Sequence, residues 1–365
     1  MPPTSSHIAL RTRLCDLLGI RYPIVQAPMA GGWTTPELVS TVSNAGGLGV
    51  LAGTGVPPER MREDIRAVKA QTTRPFGINF LLAPPEPGNR DIAAAQHFLD
   101  RFREKLGLPP GKIDLELPPS PLPEQLEIVF EERVPILSFA LGDPTGLIPE
   151  AQAAGTRVLA MVTTVEEAVR VADSGADVVV AQGAEAGGHR STFDLSSEMP
   201  LVGTLALVPQ VVDAVDVPVV ATGGIVDGRG LVAALALGAA GAQLGTRFLL
   251  SHESGAFPAY QERLLAAAET DTVVTRVFTG RPARSVRNYF IEEHLRSGPE
   301  PLSWPLQRMA ANDIYNQATS RGEADLIPLL AGQGLRMLHG VKGAAEIVRE
   351  LVEDAGGVLS RLHAD

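Results

Sequence analysis

The chain has 365 residues, of which 31 are basic and 42 acidic, so its formal net charge is −11. This acidic balance disfavours a nucleic-acid partner, and an apolar content of 45% is too high for a disordered protein. The single cysteine excludes a disulfide framework, and neither a membrane-spanning run nor a secretory signal is visible, so we expect a cytoplasmic protein.

Short runs rich in Val, Ile and Ala alternate with helical patterns over the first 250 residues. Eight of these runs are strand candidates, and they are continuously apolar, as expected for parallel strands covered on both faces. They occupy residues 23–29, 47–53, 76–82, 135–142, 157–163, 177–183, 217–224 and 241–249. Because a helical segment follows each run, the pattern predicts an α/β fold, the (β/α)8 TIM barrel. The alternative, a doubly wound sheet, lacks the GxGxxG expected in its first turn, which reads APMAGGW.

The pattern changes after the eighth strand candidate. Residues 251–339 contain helical stretches interrupted by prolines, which predict a helical insertion or cap. A last helix over 340–355 would complete the barrel, so we assign 14–250 plus 340–355 to a TIM-barrel domain. Residues 1–13 are assigned to an N-terminal extension.

Glycines stand at the ends of the seventh and eighth strand candidates, where TIM barrels usually bind phosphate. Gly223-Gly224 and Gly245-Thr246 allow backbone N–H groups to approach an anion closely, and the Thr246 hydroxyl adds a donor. The alternative is that these glycines only form tight turns. Their coincidence with the two phosphate-binding positions favours a phosphate site.

His189 lies on a glycine-rich loop, AQGAEAGGHR (181–190), beyond the sixth strand candidate. Histidine suits proton abstraction because its ordinary pKa is near neutrality, although a surface loop histidine is the alternative. The nearby Glu185 could orient His189 or be a solvated loop carboxylate, and we favour the solvated carboxylate. The loop offers no further ligands of the right kind, so no metal site is predicted.

Other side chains at the strand tips suit a flat cofactor. The Met29 thioether can pack on an aromatic ring, and the Asn79 amide can bond to a ring or phosphate oxygen. In the basic loop TGRPARSVRN (279–288), Arg281 and Arg284 either bind an anion or are solvated.

Seven segments form a set of motifs: YPIVQAPMAGG (22–32), SNAGGLGVLA (43–52), RPFGINF (74–80), GADVVVAQGAEAGGHR (175–190), VGTLALVPQ (202–210), PVVATGGIVDGRG (218–230) and AQLGTRFL (242–249). The combination of AQGxEAGGH, GGIxDGRG and QxGTRFL is specific, whereas each motif alone would be weak. As a set they resemble the class I nitronate monooxygenases, formerly called 2-nitropropane dioxygenases. The resemblance covers nearly the whole chain. It implies a TIM-barrel flavoprotein with non-covalently bound FMN.

The resemblance also implies a reaction and its residues. Alkyl nitronates, such as propionate 3-nitronate, would be oxidised by O2 to a carbonyl compound and nitrite. His189 would hold the nitronate or remove the α-proton of a neutral nitroalkane, and Tyr260 is retained as a second catalytic residue. Strand tips and motif positions together give these cofactor-binding residues: Ala27, Pro28, Met29, Asn79, Gln182, Gly187, Gly188, Gly223, Gly224, Gln243, Gly245 and Thr246.

The segment PLSWPLQRMAANDIYNQ (301–317) departs from the family pattern. Trp304 and Arg308 stand where close class I relatives have tyrosines, and Asn312 stands where they have a lysine. This departure concerns the substrate more than the fold.

Two other functions are kept as alternatives. An NAD(P)H-dependent flavin reductase, acting on an enoyl thioester or a quinone, would share the barrel, and a non-catalytic flavoprotein would share the cofactor site. The AQGxEAGGHR motif favours the nitronate monooxygenase. An IMP-dehydrogenase-like barrel is disfavoured because the loop cysteine that it needs is absent. Helix faces rich in Gly and Ala permit a homodimer without requiring one.

Overall fold

The computed structural model describes residues 10–86, 88–195 and 199–363. The described strands are β1 (Ile24–Gln26), β2 (Gly49–Ala52), β3 (Phe76–Leu81), β4 (Ile136–Ala140), β5 (Arg157–Val162), β6 (Val178–Gln182), β7 (Gly188–His189), β8 (Val219–Thr222), β9 (Gly241–Leu244), β10 (Thr272–Thr275) and β11 (Ala283–Val286). Eight of them form a parallel sheet in the order β1-β9-β8-β6-β5-β4-β3-β2. The two edge strands of this order, β1 and β2, are joined by backbone hydrogen bonds, which close the sheet into a barrel. The Gln26 N–H donates to the Leu48 carbonyl and the Leu48 N–H donates to the Ile24 carbonyl, both at 2.8 Å. The predicted TIM barrel is therefore confirmed, and each strand candidate contains one barrel strand.

The helices alternate with these strands and then continue into the cap. They are α1 (Arg13–Leu18), α2 (Pro36–Asn44), α3 (Pro58–Gln71), α4 (Ile92–Leu106), α5 (Leu122–Glu131), α6 (Ile148–Ala153), α7 (Val165–Asp173), α8 (Thr204–Ala214), α9 (Gly228–Ala236), α10 (Thr246–Leu249), α11 (Pro258–Ala266), α12 (Tyr289–Ser297), α13 (Leu306–Arg321) and α14 (Ala344–His363). Local signals set their starts: the Thr35 side chain accepts the Leu38 N–H at α2, and Thr164 and Glu167 form a capping box at α7. The last helix, α14, begins later and ends later than the predicted 340–355.

Apolar side chains of α1 pack with the barrel interior. Leu14, Cys15 and Leu18 belong to the same buried cluster as strand residues such as Val25 and Val178. Because α1 leads directly into β1, it lies at the amino ends of the strands. The opposite end, where the strands finish, is left for a site.

The cap is built from two separate parts of the chain. Aromatic contacts join α4 to α12, since the Phe102 and Phe290 rings lie 4.7 Å apart and the Phe98 and His294 rings 4.8 Å apart. Thus α4, which lies within the range 14–250 assigned to the barrel, packs with the cap. The helix that packs on the outside of the barrel between β3 and β4 is α5, which contacts α3.

The cap also contains a small sheet that the prediction of a helical cap did not include. The strands β10 and β11 pair antiparallel, and β11 pairs with β7, the two-residue strand that contains His189. These strands have only two to four residues, and their pairing joins parts of the chain far apart in sequence. Within the described ranges, no helix is both long and apolar enough to cross a membrane.

Candidate active site

A cavity lies at the carboxyl ends of the barrel strands, under the cap. Loops after β1, β3, β6, β8 and β9 contribute to its wall, together with cap residues. All fourteen predicted site residues line it: Ala27, Pro28, Met29, Asn79, Gln182, Gly187, Gly188, His189, Gly223, Gly224, Gln243, Gly245, Thr246 and Tyr260. Strand tips that are far apart in sequence therefore meet, as the barrel topology predicts.

The turn after β8 has a backbone that needs glycine. Gly223 and Gly224 have φ angles of +116° and +71°, which L side chains rarely adopt. After β9, the Thr246 hydroxyl accepts the Gly332 N–H at 3.0 Å and keeps its own proton for another acceptor. These features fit the backbone-lined anion site expected from the sequence.

Two buried amides in the cavity wall have unused hydrogen-bonding capacity. Asn79 Nδ2 donates to the Ser138 carbonyl and hydroxyl at 3.1 Å each, whereas Asn79 Oδ1 has no partner among the described residues. Gln243 is 3% exposed, and its side chain forms no hydrogen bond within the described part of the chain. Since buried polar groups are nearly always paired, these amides fit a polar ligand such as a flavin ring.

The Gln182 amide, in contrast, is already used within the protein. Its Nε2 donates to the His189 carbonyl and its Oε1 accepts the Ser191 N–H, both at 2.9 Å. Gln182 therefore fixes the backbone on both sides of Arg190, and with it the position of the His189 loop.

His189 is held at the junction between the barrel and the cap. Its backbone pairs with Ala283 of β11, and its Nε2 lies 2.9 Å from Thr279 Oγ1. The Trp304 ring contacts the imidazole edge-on, with 5.5 Å between the ring centroids. Among the described residues, Nδ1 has no hydrogen-bond partner, and the residue lines the cavity.

The surroundings of His189 keep the imidazole neutral. Burial lowers its pKa from 6.5 to about 4, and the positive charges of Arg281 and Arg308 act in the same direction. Thr279 Oγ1 lies 3.2 Å from the Arg281 carbonyl, to which it can donate. With the Thr279 proton used there, Nε2–H donates to the Thr279 oxygen, and the lone pair of Nδ1 is free.

Tyr260 is fully buried, and its hydroxyl donates to the Leu330 carbonyl at 3.0 Å. Burial raises the pKa of this phenol well above its ordinary value, so Tyr260 stays protonated. Its ring packs edge-on against Trp33, with 5.4 Å between centroids. The ring thus forms cavity wall, while the hydroxyl is occupied by the cap backbone.

The segment that departs from the family pattern divides into two parts. Trp304 contacts His189 and donates from Nε1 to the Ala83 carbonyl at 3.2 Å, and the Arg308 guanidinium lies 4.9 Å from the centre of the Tyr315 ring. Asn312 is exposed on α13 and does not line the cavity. The motif position had suggested that Asn312 faces the site, and the structure places it outside. Trp304 and Arg308 also lie outside the set of residues that line the cavity.

The structure contradicts a solvated position for three charged residues, which was one of two alternatives for Arg281 and Arg284 and the favoured interpretation for Glu185. Arg281 and Arg284 are buried rather than solvated: Arg281 pairs with Glu86 at 2.6 Å, and Arg284 donates to the Ala184 carbonyl at 2.8 and 3.0 Å. Glu185 is not a solvated loop acid, because it accepts the Thr204 N–H at 2.8 Å. Thr279, which orients His189, was missed because a lone loop threonine carries no sequence signal.

Comparison with known proteins identifies the family. The family model described as nitronate monooxygenase matches residues 11–354. A probable nitronate monooxygenase of Staphylococcus saprophyticus is 38% identical over 360 residues, which cover 96% of this chain and 99% of the relative. The chain belongs to the nitronate monooxygenase family. Members of this family are oxidoreductases, and they depend on a flavin.

Solved structures agree with this assignment to the nitronate monooxygenase family. A nitroalkane oxidase from Streptomyces ansochromogenes is 38% identical, with a TM-score of 0.87, and the match covers 96% of this chain and 99% of that one. FabK from Thermotoga maritima is 31% identical, with a TM-score of 0.76, and the match covers 97% of this chain and 99% of that one. The nitroalkane oxidase is thus the more similar of the two in both sequence and fold.

Proposed function

We propose that this chain uses FMN to oxidise alkyl nitronates, such as propionate 3-nitronate, with O2, releasing a carbonyl compound and nitrite. The observation that carries the proposal is the position of His189, which lines a cavity with open amides and glycine turns and whose Nδ1 has no hydrogen-bond partner among the described residues. Membership of the nitronate monooxygenase family supports the same reaction.

The cavity wall offers groups that suit the phosphate and the ring of FMN. Gly223-Gly224 and Gly245-Thr246 would hold the phosphate, because their backbone permits close approach of an anion. Asn79 Oδ1 and the Gln243 amide would bond to the polar edge of the ring, and Met29 would pack on its face. When bound, the flavin would supply the redox chemistry that couples oxidation of the substrate to reduction of O2.

His189 would manage the proton at the substrate carbon. A neutral imidazole with a free Nδ1 can remove the α-proton of a neutral nitroalkane, and Thr279 keeps the other nitrogen protonated. A nitronate is already deprotonated and needs no base. Its negative charge would instead be attracted by Arg281 and Arg308, whose fields reach His189.

The test uses the purified protein with its bound flavin. The flavin is released by heat and identified by mass, and oxygen uptake and nitrite are measured with propionate 3-nitronate. FMN, oxygen uptake and nitrite release are the expected results. Oxidation of NADH with a quinone or an enoyl thioester, without nitronate turnover, would assign the chain to the reductase alternative.

A further inference from the structure

Two buried arginines hold the main chain of the loop that follows β6. Arg190 Nη1 donates to the Gly183 carbonyl at 2.6 Å, and Arg190 Nη2 donates to the Gln182 carbonyl at 3.1 Å. Arg284, on β11 of the cap, donates from Nε and Nη2 to the Ala184 carbonyl at 3.0 and 2.8 Å. Three consecutive carbonyls, from the end of β6 onwards, therefore accept guanidinium donors.

Arg190 carries its charge into the interior without an opposite charge beside it. The residue is fully buried, and no carboxylate of the described residues lies within ion-pair distance of it. Burial lowers its pKa to about 10, so the guanidinium is still charged at neutral pH. Burying an unpaired charge destabilises a fold, so we expect the benefit of this guanidinium in the position of the main chain that it binds.

Arg190 and Gln182 fasten the two ends of this loop to each other. The Gln182 amide binds the main chain of His189 and Ser191, the two neighbours of Arg190, at 2.9 Å each. The Arg190 guanidinium crosses the loop in the other direction and binds the main chain of Gln182 and Gly183. The main chain at His189 is therefore tied to the end of β6 by two side chains.

The Arg190 guanidinium reaches the site through His189. Arg190 does not belong to the described residues that line the cavity, whereas His189 does. A base must lie within hydrogen-bond reach of the proton that it removes, and a displacement of about 1 Å can cost about 100-fold in rate. A tether on the main chain next to the base is therefore a direct means of keeping the imidazole in reach.

We propose that Arg190 is a positioning residue for proton removal, because its guanidinium ties the His189 segment to the end of β6 and so keeps the imidazole within reach of the substrate carbon. This inference rests on the proposed function, in which His189 removes the α-proton of a neutral nitroalkane. Loss of Arg190 should then impair a substrate that needs a base more than a substrate that does not.

The test compares nitroethane, which must lose its α-proton, with ethyl nitronate, which has already lost it. In Arg190→Met we expect kcat for nitroethane to fall by about 10- to 100-fold and kcat for ethyl nitronate by less than about 3-fold. Arg190→Lys keeps the charge but replaces the planar fork by a single ammonium group, so it should recover part of the nitroethane rate. The ratio of the two rates does not depend on the fraction of protein that is folded.

Arg103→Met is the matched control. Arg103 is also a buried arginine, but it pairs with Asp313 at 2.8 Å and joins α4 to α13 within the cap. Its loss should lower Tm and leave the ratio of the two rates as in the wild type.

Hydrogen–deuterium exchange separates this inference from the proposed function. In the flavin-loaded protein, peptides that cover residues 182–191 should exchange at least about 10-fold faster in Arg190→Met than in the wild type or in Arg103→Met, because the loop loses hydrogen bonds to a charged group. If the wild type oxidises neither nitroethane nor ethyl nitronate, the proposed function fails, and the exchange rates still decide whether Arg190 holds the loop.

Three results would overturn the inference. One is an equal fall of both rates in Arg190→Met, which would make Arg190 structural. Another is a wild type that oxidises ethyl nitronate but not nitroethane, because His189 would then have no proton to remove. The last is exchange of residues 182–191 in Arg190→Met at the wild-type rate. Flavin content and Tm are measured for each variant, and if Arg190→Met binds no flavin, the same comparisons are made with Arg190→Lys.

Discussion

Gly187 lies where the loop after β6 touches the cap backbone, and Gly187→Ala tests that contact. A Cβ atom at this position would lie 2.4 Å from the Ala331 carbonyl carbon and 2.5 Å from the Gly332 nitrogen. Both are backbone atoms, so no side-chain rotation can relieve the overlap. The cap segment 331–334 must move by about 1 Å or more to restore ordinary contact distances of about 3.5 Å.

The cost of this movement follows from the bonds that hold the segment. Overpacking costs about 1–3 kcal/mol. The movement also strains two hydrogen bonds of 3.0 Å, from Gly332 N–H to Thr246 Oγ1 and from Gln333 N–H to the Glu185 carbonyl, each worth about 1 kcal/mol. We therefore expect Gly187→Ala to lose about 3–5 kcal/mol, which lowers Tm by about 4–7 °C for a chain of this length.

Thermal unfolding and flavin content together measure the effect. Because Gly332 and Gly334 line the cavity, the variant should also bind less flavin than the wild type. The control is Gly356→Ala inside α14, where a Cβ meets nothing within 4 Å and stability should rise by about 0.5–1 kcal/mol. A Tm for Gly187→Ala within about 1 °C of the wild type, with full flavin content, would refute the close contact.

Three further predictions concern His189. His189→Asn should keep the flavin and lose the oxidation of neutral nitroethane while retaining part of the nitronate oxidation; unchanged oxygen uptake with nitroethane would exclude His189 as the base. Only neutral imidazole accepts a proton, and burial lowers the His189 pKa to about 4, so kcat/KM for nitroethane should stay flat as pH falls to about 5 and then drop. A drop centred near pH 6.5 would contradict this. Thr279→Val removes the partner of Nε2 and should lower kcat for nitroethane about 10-fold or more, with recovery in Thr279→Ser; equal kcat in all three proteins would argue against orientation by Thr279.

The barrel and its strand-tip residues could be predicted because the relevant signals are local. Each barrel strand is a continuous apolar run, and the topology of parallel strands then brings their ends together. The glycines of the turn after β8 carry their own signal, since Gly223 and Gly224 adopt positive φ angles. The resemblance to a known family placed His189 and the amides in the same cavity.

The cap and the surroundings of His189 depend on long-range contacts and were harder to predict. The burial of Arg281 follows from Glu86, which lies almost two hundred positions earlier in the sequence. The rotation of α13 about its own axis places Ala311 and Ile314 in the core and Asn312 on the exposed side. A motif position alone does not show which side of the helix faces the core. The pairing of β7 with β11, which fixes the His189 backbone, has no local signal at all.

The most direct measurement of the proposed reaction is anaerobic mixing of the flavin-loaded protein with propionate 3-nitronate, and separately with NADH or NADPH. We expect the nitronate to change the visible spectrum of the flavin. Admission of O2 should restore the spectrum and release nitrite, whereas the nicotinamides should leave it unchanged. Bleaching by NADH or NADPH, with no response to the nitronate, would contradict nitronate oxidation as the function of this cavity.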